Sequence, residues 1–167
     1  MYKTSKKKLT KKYALLKAEN ICSRQEKCEE DIRRKLIEWD VDEGDRDEII
    51  NMLIKNSFID NSRFAKAFVR EKSSISKWGK IKIEFALKQK KINNELIKIA
   101  LEEIDNTKYD KILEKELIAK LKSIKNQDIY TIKSKLVRFG ISRGYENGKI
   151  FDMLNKILKE LNSDELL

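Results

Sequence analysis

A pattern of three apolar residues occurs three times along the chain and limits its possible folds more than any other feature. Each copy reads Ile-x3-Leu-x4-(Val/Ile), and the copies begin at Ile32, Ile83 and Ile132. Residues four positions apart lie on one face of an α-helix, so each Ile and Leu predict a buried helical stripe. The third apolar residue is predicted to lie just past the end of that helix.

Each copy is accompanied by two further helical patterns. An amphipathic run precedes it, beginning at Tyr13, Phe64 and Ile112, and a second Ile-x3-Leu pair follows it at Ile49, Ile97 and Ile150. The repeating unit is therefore roughly 45–50 residues long and contains three short helices.

The composition favours helix throughout, since proline is absent and strong helix formers dominate. Hydrophobic residues make up 40% of the chain, which is enough for a modest core. A single three-helix unit buries too little surface to be stable alone, so neighbouring units must share core. The predicted fold is all-α, with three tandem three-helix repeats forming an elongated, curved array.

The patterns predict five segments. These are a basic N-terminal arm at 1–12, three-helix repeats at 13–59, 60–104 and 105–161, and an acidic tail at 162–167.

Several helix boundaries have local sequence signals. Ser23-x-x-Glu26 is a capping-box pattern that predicts the start of the second helix. Asp60, Asn93 and Ser142 are predicted N-caps of later helices. Gly140 is predicted to end the eighth helix.

The composition also argues against most catalytic and metal sites. Histidine is absent, which removes the commonest general base and a common metal ligand. Cys22 and Cys28 are spaced for neither a zinc site nor a CxxC redox pair, and core packing is their expected role. The acidic residues between Asp42 and Glu48 suit a helix N-terminus better than a magnesium site. We therefore expect no enzyme activity, no cofactor and no metal.

The chain is also expected to be cytoplasmic and monomeric. Two free thiols without a signal peptide are typical of a reducing compartment. No window approaches the roughly 18 uninterrupted apolar residues of a membrane span. No apolar face is left over for a second copy.

Positive charge is concentrated in the middle of the chain. The net charge is +10, and residues 60–91 contain ten basic and three acidic residues. Such a surface attracts polyphosphate by releasing counterions. The predicted contact surface for nucleic acid or a nucleoprotein consists of Arg63, Lys66, Arg70, Lys72, Lys77, Lys80, Lys82, Lys88 and Lys90.

Helical spacing divides the first helix of this region into two faces. Arg63, Lys66 and Arg70 form one basic stripe, whereas Phe64 and Phe68 belong to the opposite, core-facing side. Trp78 precedes Gly79 at a predicted helix start, and we expect either a contact role or a packing role for it.

Three stretches of the chain resemble the RecX family. The first stretch is 58–70, which contains Asp60, Arg63-Phe64-Ala65 and Phe68-Val69. The second is Trp78-Gly79-Lys80 followed by Ile83-x3-Leu87. The third is Lys135-Leu136-x-Arg138-Phe139-x3-Arg143-Gly144-Tyr145. The resemblance covers about residues 13–158. The chain departs from it at Asn61, where the family has Asp. It also has Asp40 after the middle helix of the first repeat, where a Gly is usual, and Lys91 after that of the second.

This resemblance implies a modulator of RecA that acts in DNA recombination, DNA repair and the SOS response. Members are three tandem three-helix repeats that bind along the groove of the RecA–single-stranded DNA filament. They limit filament growth, strand exchange, ATPase and coprotease activity. The alternative from the residues alone is a free-standing, sequence-nonspecific helical DNA-binding protein. A nuclease lacks support because no convincing carboxylate pair accompanies the missing histidine.

Overall fold

The structure is a computed structural model that describes residues 9–125 and 128–164, with side chains through residue 159. Within these ranges the chain is helical and contains no strand, so the predicted all-α fold is confirmed. The described helices are α1 (Lys11–Arg24), α2 (Glu29–Glu38), α3 (Glu43–Lys55), α4 (Asn61–Ser74), α5 (Lys80–Gln89), α6 (Asn94–Glu102), α7 (Asn106–Lys122), α8 (Ile129–Arg143) and α9 (Asn147–Asp164).

By its contacts the described chain forms two compact units. The first takes in the residues up to Ala67 together with Leu87–Lys98, and the second takes in Phe68–Ala86 together with the residues from Ile99 onwards. The three-repeat boundaries at 59/60 and 104/105, and the curved array, stay predictions.

The first unit has a core in which α1 and α2 pack on α3. It contains the buried Ile32 and Leu36 of α2 together with Ile49 and Leu53 of α3, as the periodicity predicted. Cys22 packs against this core and Cys28 is buried. Burial raises the pKa of both thiols, that of Cys28 to about 11. Both cysteines therefore behave as packing residues.

The second unit has a core formed by α7, α8 and α9, which pack against one another. Tyr109, Leu113 and Leu117 of α7 meet Ile150 and Leu154 of α9 in its interior. The rings of Tyr109 and Tyr145 are 5.0 Å apart between centroids. Helix α4 has residues in both units. Its predicted stripe is buried at Phe64 and Ala65 of the first unit and at Val69 of the second, while Phe68 is only half-buried.

Four of the described helices, α2, α3, α5 and α8, end in the same backbone motif, which explains the x4-(Val/Ile) part of the repeat. After α2, Asp40 adopts φ 56°, and the Val41 amide donates to the Leu36 carbonyl at 3.0 Å. After α5, Lys91 adopts the same φ, and the Ile92 amide donates to Leu87. This left-handed ending turns the next apolar residue back onto the helix.

The same ending closes α3, where Ser57 is left-handed and the Phe58 amide donates to the Leu53 carbonyl. The Val41 and Ile92 side chains are buried, as predicted for residues just past a helix end.

The third copy of the repeat was predicted one helical turn too early. Helix α8 continues to Arg143, so Ile141 lies within it and is 50% exposed. Gly144 (φ 84°) is the left-handed residue here, and the buried Tyr145 donates its amide to the Gly140 carbonyl. Gly140 does not end the helix. A Cβ there would lie 2.8 Å from Cδ1 of Ile150, so this glycine allows α9 to pack closely.

Two predicted N-caps, Asp60 and Asn93, are confirmed, whereas the predictions that Ser23 and Ser142 begin new helices were wrong. The Asp60 carboxylate accepts from the amides of Ser62 and Arg63, and the Asn93 side chain accepts from the Glu95 amide. Ser23 lies inside α1 and Ser142 inside α8, where each hydroxyl donates to a carbonyl three residues earlier. Such local bonds compete with capping, and α2 and α9 begin further along the chain.

Parts of the predicted arm and tail, residues 1–8 and 165–167, lie outside the described residues. Among the described helices, none has the length and apolar character that a membrane crossing requires.

Candidate functional site

The nine predicted contact residues lie on two consecutive helices and their ends. Arg63, Lys66, Arg70 and Lys72 are on α4, Lys77 is in the following loop, Lys80, Lys82 and Lys88 are on α5, and Lys90 comes directly after α5. Four of them belong to the first compact unit, namely Arg63, Lys66, Lys88 and Lys90, and the other five belong to the second.

In the first unit, acidic residues at positions 26 and 31 bind two of these cations. Nε of Arg63 donates to Glu26 at 2.6 Å, and its guanidinium also donates to the Ser57 carbonyl. Nζ of Lys90 lies 2.6 Å from the Asp31 carboxylate. The basic charge of α4 and α5 is therefore partly neutralised within the molecule.

A third pair of this kind involves Lys91, whose Nζ lies 2.9 Å from Glu30. The hydrogen bond from Lys91 lowers the pKa of Glu30, whose side chain is only 11% exposed. The hydrogen bond to Glu26 raises the pKa of Arg63 in turn. The second oxygen of Glu26 is buried without a partner among the described residues. Arg63 is thus the main cationic partner of a half-buried carboxylate.

In the second unit, two of the predicted lysines meet at Trp78. Nζ of Lys72 lies 5.4 Å from the centroid of the Trp78 ring, and Nζ of Lys82 lies 4.7 Å from it. Trp78 is half-buried. Lysines held over an indole face gain cation–π attraction, so this cluster combines two lysines with a half-buried aromatic ring. Lys72 also pairs with Glu71 at 2.8 Å.

The remaining cations of the loop and of the start of α5 are held by neighbouring helices. Nζ of Lys77 lies 2.5 Å from Glu116, a carboxylate that Arg143 approaches at 3.6 Å. Nζ of Lys80 donates to the Asn106 side chain at 3.0 Å.

A buried tyrosine fixes the start of α5. The Tyr109 hydroxyl accepts from the backbone amide of Lys80 at 2.8 Å and donates to the Glu146 carboxylate at 2.7 Å. Burial raises the pKa of Tyr109, which keeps the hydroxyl protonated and able to donate.

Part of the predicted basic stripe on α4 remains available to bind a partner. Arg70 is exposed and forms no ion pair with the described carboxylates. Lys66 is half-buried and Lys88 is exposed, and both have contacts of their own.

The acidic cluster takes part in ion pairs. Lys11 pairs with Asp45 and Glu48, and Arg33 pairs with Asp47 at 2.7 Å. Within residues 9–125 and 128–159 no group of three or more metal-ligating side chains converges.

Sequence reasoning missed a second basic cluster. Lys120, Lys125, Lys135 and Arg138 line one concavity at the end of α7 and along α8. The spacing of Lys135, Arg138 and Ser142 on one helical face was a usable signal. The contribution of Lys120 and Lys125 depends on how α7 packs against α8.

Comparison with known proteins identifies the family. A family model described as "RecX, second three-helix domain" matches residues 60–101, which contain all nine predicted contact residues. The chain is 32% identical over 154 residues to the regulatory protein RecX of Clostridium acetobutylicum, covering 90% of this chain and 71% of that protein. The chain belongs to the RecX family.

Other RecX proteins and structures agree with this assignment. The regulatory protein RecX of Clostridium tetani is 34% identical over 134 residues, which span 79% of this chain and 61% of that protein. A crystal structure of RecX from Lactobacillus salivarius has a TM-score of 0.76 at 20% identity, covering 87% of this chain and 95% of that one. A further crystal structure of regulatory protein RecX has the same TM-score at 23% identity. At these identities the two structures establish a shared RecX fold.

Proposed function

We propose that this chain binds the RecA filament on single-stranded DNA and lowers its recombinase, ATPase and coprotease activities. The observation that carries the proposal is the similarity to the regulatory protein RecX of Clostridium acetobutylicum over 90% of the chain. The protein acts by binding, without a reaction or cofactor of its own. Because its proposed partner is the RecA filament, the protein acts in the cytoplasm, and it works as a monomer.

The charge distribution supports this proposal. The exposed Arg70 and the lysines around Trp78 present positive charge on α4 and α5. Contacts with several filament subunits add up through effective concentration, so individually weak contacts give tight binding.

The direct test measures ATP hydrolysis and strand exchange by the RecA of the same organism on single-stranded DNA. Adding this protein at substoichiometric amounts is expected to reduce both rates. Unchanged rates together with tight binding to bare DNA would instead support the free-standing DNA-binding alternative.

A variant pair locates the contact surface. Lys66→Glu with Arg70→Glu reverses two charges one helical turn apart on α4, and is expected to weaken filament binding at least tenfold. Arg63 is left in place because its removal would leave Glu26 without its cation. The control is Lys111→Glu with Lys115→Glu, two exposed lysines with the same spacing on α7.

Both variants should keep the helical circular dichroism signal, since the α4 and α7 changes are outside the buried cores. Equal loss of binding in the two variants would show that only total charge matters. Unchanged binding in the α4 variant would move the filament contact to another surface.

A further inference from the structure

A groove between the end of α7 and α8 collects four cationic side chains. The concavity has a volume of about 560 Å³ and is lined by Lys120, Lys125, Lys135 and Arg138, with no carboxylate among its lining residues. Phe139 also lines it and packs against the core of the second unit, so part of its wall is apolar. A concave surface with one sign of charge and a low-dielectric wall concentrates the field for an oppositely charged ligand.

These cations differ in their partners from three lysines of the same unit. Lys77, Lys149 and Lys156 each have a carboxylate oxygen of α7 within 2.5, 2.6 and 2.7 Å, respectively. The four groove cations form no ion pair with any described carboxylate. No ion pair offsets their mutual repulsion within the described chain, and an external anion would relieve it.

The basic surface continues beyond the groove. The carbonyl of Ser142, a groove residue, accepts from Nζ of Lys82 at 3.4 Å. Lys82 in turn lies over the Trp78 ring, next to Lys72. Lys72 is paired with Glu71 at 2.8 Å, so the unpaired positive charge extends from the groove to Lys82 at Trp78. This extension fits a string of anionic groups better than a single ion.

We propose that this groove binds consecutive phosphates of single-stranded nucleic acid. Three of the four cations are lysines, whose compact charge suits phosphate contact without sequence preference. The assignment goes beyond the proposed function, since contact with the recombinase protein alone would satisfy that function. It is tested on DNA in the absence of RecA, so the two proposals can fail separately.

The experiment follows the fluorescence anisotropy of a labelled oligo-dT during titration with the full chain at several salt concentrations. The variant Lys135→Gln with Arg138→Gln removes two proposed phosphate contacts, one at a half-buried and one at an exposed position of α8. Each contact to a single strand contributes about 0.7 to the slope of log affinity against log salt. The slope should therefore fall by about 1.4, which corresponds to roughly 25-fold weaker binding at about 0.1 M salt.

The control Lys149→Gln with Lys156→Gln changes the net charge equally but removes lysines already paired with Asp110 and Glu114. It should bind within about twofold of the unmodified chain, since these charges are already matched. A single change in the loop after α7, Lys125→Gln, should reduce the slope by about half as much as the double variant. Circular dichroism checks that each variant stays helical.

Equal losses in the groove variant and the control would overturn the proposal, because they would reflect net charge alone. Normal binding of oligo-dT by the groove variant would also overturn the proposal. If that variant also bound the RecA filament poorly, the groove would be a contact for an acidic protein surface.

Discussion

The backbones of Gly79 and Gly144 are in direct contact, although the two residues are far apart in the sequence. The Gly79 amide donates to the Arg143 carbonyl at 2.8 Å, and the Ile81 amide donates to the Gly144 carbonyl at 3.1 Å. These bonds satisfy amides at the start of α5 with carbonyls at the end of α8. Two short motifs of the family resemblance, Trp78-Gly79-Lys80 and Arg143-Gly144-Tyr145, are therefore the two sides of one contact.

Gly79→Ala is expected to destabilise the fold by about 1–3 kcal/mol, the usual cost of forcing extra atoms into a packed site. The added Cβ would overlap the Gly144 carbonyl, which is backbone and has little freedom to move. Urea unfolding followed by circular dichroism measures the change. Gly148→Ala is the control, since a Cβ there meets nothing within 4 Å. An equally stable Gly79→Ala variant would contradict the close approach.

Tyr109→Phe is expected to lower the free energy of unfolding by about 1–3 kcal/mol, because it leaves the Lys80 amide and the Glu146 carboxylate without their common partner. The matched control is Tyr130→Phe, where the ring is 83% exposed and the change should have almost no effect. Urea midpoints of the two variants provide the comparison. Equal midpoints would show that the Tyr109 hydroxyl contributes nothing to stability.

Asp40→Gly is expected to stabilise the protein by about 0.5–1 kcal/mol. Relief of left-handed strain, about 1–2 kcal/mol, exceeds the added entropy of a glycine in the unfolded chain. Asp40→Ala should instead destabilise the protein, since alanine adopts the left-handed backbone conformation less readily than aspartate. Thermal unfolding of both variants tests this. Destabilisation by the glycine would mean that the Asp40 side chain makes a net stabilising contribution.

Glu30 is expected to make stability depend on acid pH. Its pKa is lowered in the folded chain from the ordinary value of 4.5, chiefly by the hydrogen bond from Lys91. The stabilisation is therefore complete above the unfolded pKa and is lost as the pH falls through the folded pKa. Between about pH 6 and about pH 3 the unmodified chain should lose more unfolding free energy than Glu30→Gln. Lys91→Met should also flatten this dependence, and unchanged pH profiles in both variants would refute the assignment.

The local features of the fold could be read from the sequence. The buried pairs Ile32/Leu36 and Ile83/Leu87 follow from a helical period that depends only on neighbouring residues. Asp60 and Asn93 were recognisable as caps for the same reason, since a cap bonds to amides two or three residues away. The end of α8 was misplaced because Gly140 serves packing against Ile150, a contact that no local pattern records.

The candidate site was predicted less completely. The basic character of α4 and α5 is a property of composition, and it holds in the structure. The partners of those charges are decided by tertiary packing, which brings Asp31 to Lys90 and Glu116 to Lys77. Packing of α7 against α8 also leaves Lys120 and Lys135 in one groove.

The amino-acid sequence by itself determined the helices, their apolar stripes and the excess of positive charge, because these depend on residue type and on spacings of a few positions. Only the tertiary structure decided which cations are neutralised and which positions leave no room for a side chain. Those outcomes depend on distances between residues that are tens of positions apart, and such distances are set when the helices pack.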